Sequence, residues 1–212
     1  KNYVEHAAEF QGSGFDAANK SGSNVPDYPI YFTKASSTIT GPGDPIPASD
    51  DPMNSTDYEG ELTIVIGKKG RHISRENSLD YVFGYTIIND VTSRGLQKQH
   101  NQWFLGKNID GFCPMGPTLV TANDIADIAS LKLTTHVNGE LRQSASLDQL
   151  IFDIPELIST LSDVMTLHPG DLIATGTPAG VGVGYSPPKF LNPGDKVEIT
   201  IEPIGMLSNP VI

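Results

Sequence analysis

Apolar residues recur along this chain with two periods, and the shorter one dominates. Leu131 to Val137, LKLTTHV, alternates apolar and polar residues, the two-residue period of a half-buried strand. Asn138-Gly139 and ELRQ follow, which predicts a hairpin closed by a tight turn. Glu61 to Ile66 reads as a strand ended by Gly67, and YTIIND over 85–90 as an apolar strand ending in a carboxylate. YPIYFTKASSTITGPGDPIP reads as a short strand and a turn-rich connection, and PGDLIATG and PGDKVEIT as two Pro-Gly-Asp turns that each launch a strand. The longer period runs through Leu150, Ile151, Ile154, Leu157, Ile158, Leu161, Val164 and Met165, a helix with Pro155 in its first turn that ends near His168-Pro169-Gly170. Short helices are predicted for NYVEHAAEF (2–10) and for SRENSLDYVF, with Ser74 as N-cap and Gly84 past the last turn. The sum is a strand-rich mixed α/β fold with few short helices and no interdomain linker.

Composition narrows the class. The 212 residues suffice for one sizeable core, and 21 glycines and 16 prolines suit many turns. A net charge of -11 argues against nucleic acid or an anionic membrane as partner, while leaving room for an anionic small molecule in a locally positive pocket. The single cysteine, Cys113, allows no disulfide within the chain and reads as a small core residue in a reducing compartment. No apolar run is long enough to span a bilayer. A cytoplasmic location is expected, with an upstream targeting segment left open because the chain starts at Lys1 without a methionine. Residues 11–26, small and polar, read as a loop or lid.

The candidate chemistry begins at DYEGEL. Residues two apart on a strand share a face, so Glu59 and Glu61 stand side by side, and like charges that close call for a cation between them. With Asp90 they form an oxygen-only set, which selects Mg2+, Mn2+ or Ca2+ over zinc; the plainer alternative is three solvated acids at strand ends. His6 and Glu9, three apart, share a helical face, where a carboxylate fixes the imidazole tautomer and raises its basicity; the plainer alternative is an exposed helix pair. Lys107 lies in the apolar stretch WFLGKNIDGFCPMGP, where a lysine can stabilise a developing anion or merely sit beside a turn. TGTPAGVGVG (175–184) lacks the Gly-Lys-Ser/Thr ending of a phosphate loop; its glycines instead suit amides that approach a ligand carboxylate, with Thr177 adding a hydroxyl.

The order of NYVEHAAE, FTKASSTITGPGDPI, DYEGELTIVIGK, GYTIINDVTSR, QWFLGKNIDGFCPMGP, VNGELRQ, LIFDIPELIST and PGDLIATGTPAGVG resembles the C-terminal catalytic domain of the fumarylacetoacetate hydrolase family over nearly the whole chain. The resemblance implies a β-roll in one catalytic domain over 1–212 with an incomplete N-terminus, often dimeric, and a divalent site, usually Mg2+. It places Glu59, Glu61 and Asp90 as metal ligands, His6 and Glu9 as the catalytic dyad beside a lid, and Lys107 as the motif lysine. Arg94, Gln97 and Thr177 fall on substrate-contacting motif positions, and Lys34 on a further motif position. Two places depart from the family pattern: Gly95 stands where Arg is usually followed by Asp, and Asn108-Ile109-Asp110-Gly111 replaces the usual Ser-Phe-Asp-Thr.

The resemblance implies action on a 2-oxo or β-diketo acid through a metal-bound enolate. Hydrolytic carbon–carbon cleavage, with His6 and Glu9 activating water, is the first expectation. Tautomerisation, isomerisation or decarboxylation of oxaloacetate-like acids, which need only a proton relay, is the alternative. A catalytically inactive ligand-binding member is the third, resting on the Gly95 and 108–111 departures. A homodimer with a small oxo-acid substrate is the expected assembly.

Overall fold

The computed structural model describes residues 1–9 and 25–212, so the stretch 11–26 read as a lid lies outside the described residues but for Val25 and Pro26. The strands are β1 (Ile39–Thr40), β2 (Thr56–Asp57), β3 (Gly60–Ile66), β4 (Val82–Asn89), β5 (Thr92–Ser93), β6 (Cys113–Thr121), β7 (Lys132–Val137), β8 (Glu140–Ser146), β9 (Leu172–Ala174), β10 (Lys196–Ile201) and β11 (Gly205–Pro210). The α-helices are α1 (Val4–Glu9), α2 (Arg94–Gln99), α3 (Phe104–Lys107) and α4 (Ile154–Val164). A five-stranded sheet runs in the order β1-β6-β4-β3-β9, a four-stranded sheet in the order β11-β10-β7-β8, and β2 pairs with β5. Apart from the parallel β1–β6 pair, these pairings are antiparallel. This is the strand-rich mixed fold that the periodicity predicts, and among the described residues no helix is long and apolar enough to cross a membrane.

The pleat decides where the core and the cavity sit. On β3 and β4 one set of alternate residues, Leu62, Ile64, Tyr85 and Ile87, packs with Leu133, Ile199 and Leu207 of the second sheet in one apolar cluster. Full burial of such side chains contributes about 1.5–3 kcal/mol each. Gly60 lies where the sheets touch: a Cβ there would stand 2.5 Å from Thr135 Oγ1. The opposite face of β3 and β4, carrying Glu61, Thr63 and Ile88, lines a cavity. Helix α4 closes one side of it. Asp153 caps that helix by accepting from the Glu156 amide (2.9 Å), Pro155 occupies its first turn, and Ile154, Leu157 and Ile158 are buried.

Local signals explain the agreements and the differences. Asn138 (φ 52) and Gly139 (φ 79) make the β7–β8 turn, and Gly170 and Gly194 take positive φ in the two Pro-Gly-Asp turns. Residues 74–83 are not an α-helix. A 3-10 stretch covers Arg75–Tyr81, Ser74 makes no side-chain cap bond, and β4 begins at Val82. Gly84 is a strand residue, not a helix stop: a Cβ there would lie 2.2 Å from the Val120 carbonyl oxygen of the neighbouring strand. The short strand expected within YPIYFTKASSTITGPGDPIP is β1, and Tyr31 ahead of it donates its hydroxyl to the Leu157 carbonyl of α4 (2.9 Å).

Candidate active site

Strand pairing builds the acidic centre. β3 and β4 are antiparallel with Gly60 opposite Asn89, so the Glu59–Glu61 end of one strand meets the Asn89–Asp90 end of the other. Two bonds lock the corner: the Asp90 amide donates to the Glu59 carbonyl (2.8 Å), and the Glu59 amide to Asn89 Oδ1 (2.9 Å). Carboxylate oxygens of Glu59, Glu61 and Asp90 all lie within 4.8 Å of one another. The three are buried, at 5%, 4% and 1% exposure, which removes the solvated-acid alternative. Burial, with the charges of Asp90 and Glu59 added, raises the Glu61 carboxyl to about 8. Burial would do the same to Glu59, but Lys107 and Arg94 outweigh it and hold that carboxyl at about 2.

The cations in this centre are already engaged. Lys107 Nζ bridges Glu59 Oε2 (2.7 Å) and Asp90 Oδ2 (2.6 Å), with the Phe32 ring 5.0 Å away. Arg94 donates from Nε to Asp57 Oδ2 (2.8 Å) and pairs through Nη1 with Glu59 Oε1 (2.7 Å); Nη1 also reaches Gln97 Oε1 at 3.2 Å. Lys34 Nζ lies 3.0 Å from Asp90 Oδ1 as an ion pair but directs its hydrogen bonds to the carbonyls of Val91 (3.1 Å) and Phe112 (2.8 Å). Asp90 Oδ1 therefore accepts no hydrogen bond. Among the described residues the set fits a hard divalent cation on three counts: an oxygen-only donor set, a buried carboxylate oxygen without a hydrogen-bond donor, and a Glu61 that no lysine or arginine side chain pairs with. Such a cation would be held by Glu59, Glu61 and Asp90.

His6 and Glu9 form the paired group foreseen from their spacing. Nδ1 lies 2.9 Å from Glu9 Oε2 within α1, and His6 is buried at 4% exposure, not on an exposed helix face. Burial first, then the positive charges around it, holds the imidazole well below its usual value, so it is neutral. Burial pushes Glu9 up to about 7, against the Gly180 amide that donates to its Oε1 at 2.6 Å. His6 lines the same cavity as the three carboxylates, a space of about 510 Å3. Lys34, Arg94, Gln97, Lys107 and Thr177 line it too. Thr177 Oγ1 accepts from Gln143 Nε2 (2.7 Å), which leaves its own O–H to donate.

The glycine-rich segment does approach carboxylates, but those of the protein's own side chains. Gly176 N donates to Glu61 Oε2 (2.8 Å), Gly180 N to Glu9, and Gly182 N and Val183 N to the two oxygens of Asp57 (2.6 and 3.0 Å). One loop thus ties the metal-type centre, the dyad and the Arg94 anchor together. Gly180 has φ +105, and a Cβ there would stand 1.9 Å from the Arg142 carbonyl oxygen. Gly180→Ala is expected to lower stability by at least about 2 kcal/mol, read as a drop in the thermal unfolding midpoint, and to loosen Glu9.

Asp57 and Gln143 are the residues that sequence reasoning missed. Asp57, two before Glu59, shares its spacing and was open to the same argument. Gln143 carries no local signal: it binds Gly60 N, Thr177 and the Pro178 carbonyl only because β8 passes behind the loop. Both departures from the family pattern have local causes. A Cβ at Gly95 would meet Met53 Cβ at 2.5 Å. Asn108 ties α3 to 33–35, donating to the carbonyls of Thr33 (3.0 Å) and Phe104 (2.8 Å) and accepting from the Ala35 amide. Cys113 is a buried thiol raised to about 11 by its surroundings, the burial chiefly, as expected of a core residue.

The fumarylacetoacetate (FAA) hydrolase C-terminal family matches residues 1–212. Oxaloacetate tautomerase YisK of Bacillus subtilis (strain 168) is 54% identical over 211 residues, covering 100% of this chain and 67% of that protein. The fumarylacetoacetate hydrolase of psychrophilic Exiguobacterium antarcticum superposes with a TM-score of 0.86 at 49% identity, covering 100% of this chain and 72% of that one. A 5-carboxymethyl-2-hydroxymuconate delta-isomerase from Mycobacterium smegmatis does so with a TM-score of 0.82 at 40% identity, covering 100% and 76%. The chain spans about two thirds of the length of the curated relatives it matches. Matched along its whole length, the chain belongs to the fumarylacetoacetate hydrolase family of enzymes, as its C-terminal domain.

Proposed function

We propose that this chain carries the active site of a divalent-metal-dependent tautomerase acting on a 2-oxo acid of the oxaloacetate type. The observation that carries the reading is the convergence, in one cavity, of three buried carboxylates with a neutral His6 held by Glu9. The 54% identity to a protein named oxaloacetate tautomerase, and the likeness to a solved isomerase, support tautomerisation over the hydrolytic cleavage that the family resemblance first suggested.

Glu59, Glu61 and Asp90 would hold the cation, Mg2+ or Mn2+ by the hardness of the set. When bound, it supplies Lewis acidity at a substrate oxygen and so acidifies the neighbouring C–H. His6, with its Nδ1–H on Glu9, presents Nε2 to take the C3 proton. The ionised Glu9 stabilises the imidazolium that results, and the proton returns to oxygen or carbon of the other tautomer. No water nucleophile is needed, only this relay. Thr177 O–H and Gln97 serve to orient the substrate carboxylates, while Arg94, Lys107 and Lys34 fix Glu59 and Asp90 in place. Residues 1–212 acting as one catalytic domain, in a homodimer, complete the proposal. The presence of every candidate residue in one site speaks against the inactive-member reading.

The test is a product analysis by NMR with the Mg2+-loaded protein, oxaloacetate and acetylpyruvate. The expected result is accelerated keto–enol exchange with both carbon skeletons intact. Enzyme-dependent acetate release from acetylpyruvate would move the function to hydrolysis, and enzyme-dependent pyruvate from oxaloacetate to decarboxylation.

A further inference from the structure

The cavity is larger than its acidic end requires. A four-carbon dicarboxylate occupies on the order of 250 Å3 even at the loose packing of liquid water, about 30 Å3 per heavy atom. The cavity measures about 510 Å3. Its remainder runs along β3, away from Glu61. Thr63 points to the same face as Glu61, about 7 Å further along the strand, and also lines the cavity. The surrounding wall is apolar: Ile88, Phe152, Leu157, Leu161, Leu167 and Ile173. All but Leu161 are buried, and Leu157 and Leu161 lie one turn apart on the same face of α4. The hydrogen bond from Tyr31 O–H to the Leu157 carbonyl pins the segment carrying Ile30 and Phe32 beside this wall. Half-buried Asp171 turns its carboxylate to the His168 amide (2.7 Å).

One polar group interrupts the wall. Thr63 is 1% exposed, and its Oγ1 has no hydrogen-bond partner. That oxygen is itself out of reach from the cavity, so Thr63 offers a ligand no polar contact. A second carboxylate would be poorly served by such a wall, since desolvating it is costly and Thr63 returns nothing. An apolar arm fits.

We infer that this annex is a second substrate subsite, with Leu161 as its specificity-determining residue, and that it selects 2-oxo acids carrying an unbranched apolar arm of several carbons beyond C3. The inference rests on the 2-oxo acid reading of the acidic end. Oxaloacetate fills that end and leaves the annex vacant.

Calorimetric binding of straight-chain 2-oxo acids to the Mg2+-loaded protein reads the annex without turnover. Each added methylene is expected to lower Kd about threefold to fourfold, so 2-oxoheptanoate binds roughly 30- to 60-fold more tightly than 2-oxobutanoate. Leu161→Trp, which fills the annex, is expected to abolish this length dependence; its thermal midpoint is followed to confirm folding. A flat or rising Kd along the series, or a length dependence that survives in folded Leu161→Trp, overturns the annex. Chelator-sensitive tautomerisation of oxaloacetate persists if only the annex is wrong, and its loss marks failure of the underlying functional reading.

Discussion

Glu61→Gln is expected to weaken Mg2+ or Mn2+ binding by at least about 100-fold while leaving the cation-free fold essentially as stable, because a ligand is lost but the ion pairs of Lys107 and Arg94 are kept. Among the described residues no lysine or arginine side chain pairs with Glu61, and burial beside Asp90 and Glu59 raises it to about 8, so near pH 7 it is largely protonated without a cation. Glutamine mimics that neutral form and keeps an acceptor for the Gly176 amide. Asp90→Asn contrasts with it. Asp90 neutralises Lys107 at 2.6 Å and Lys34 at 3.0 Å, and Lys107 is 2% exposed. Removing that charge leaves buried ammonium groups short of a partner, and about 3–5 kcal/mol of stability goes with it. Calorimetric titration with the cation and thermal unfolding with and without it separate the two variants. Wild type gains stability on adding the cation; Glu61→Gln does not. Wild-type affinity in Glu61→Gln would remove Glu61 from the ligand set.

His6→Ala is expected to lower kcat for tautomerisation on the order of 10²–10⁴-fold with cation affinity unchanged, the usual range for losing a general base. The pH profile carries the finer test. The imidazole is neutral throughout, so the proton that switches the dyad off binds near Glu9. With Glu9 protonated, its hydrogen points to Nδ1 and the imidazole proton shifts to Nε2, where the basic lone pair is needed. The active form is therefore present above the Glu9 pKa and lost as pH falls through it. For the wild type, kcat/KM is expected to drop tenfold per unit on the acid side, with a midpoint at or below about 7, a bound cation pulling it down. Glu9→Gln is expected to be slower and to lack that limb. A Glu9→Gln profile that keeps the limb unchanged would assign it elsewhere.

What could be read from the chain divides along a physical line. Glu59 and Glu61 were legible because strand geometry alone puts residues two apart on one face, and His6 and Glu9 because a helical turn does the same. Period-two alternation in LKLTTHV and the helical repeat from Leu150 onward were legible for the same local reason. Long-range facts were not. Asp90 stands in the candidate set as a strand-end acid and through the family resemblance, but why it meets the glutamates depends on the register of β3 against β4, and that Arg94 and Lys107 are spent on Glu59 depends on α2 and α3 folding back onto that corner. The glycines of 175–184 announce amides that approach carboxylates, but only the fold says that the carboxylates are Glu61, Glu9 and Asp57. Ser74 to Phe83 was misread because the cap signals at its ends, Ser74 and Gly84, serve other purposes: Gly84 exists to let β6 pass.

The central claim is that the buried carboxylate trio and the neutral dyad act together as a cation-dependent enolising centre. The rate of oxaloacetate enol-to-keto conversion, followed by absorbance in one sample before chelator, after chelator and after excess Mg2+, tests it most directly. The account predicts catalysis, collapse to the uncatalysed rate, and recovery. Catalysis that persists undiminished in the presence of chelator would contradict it.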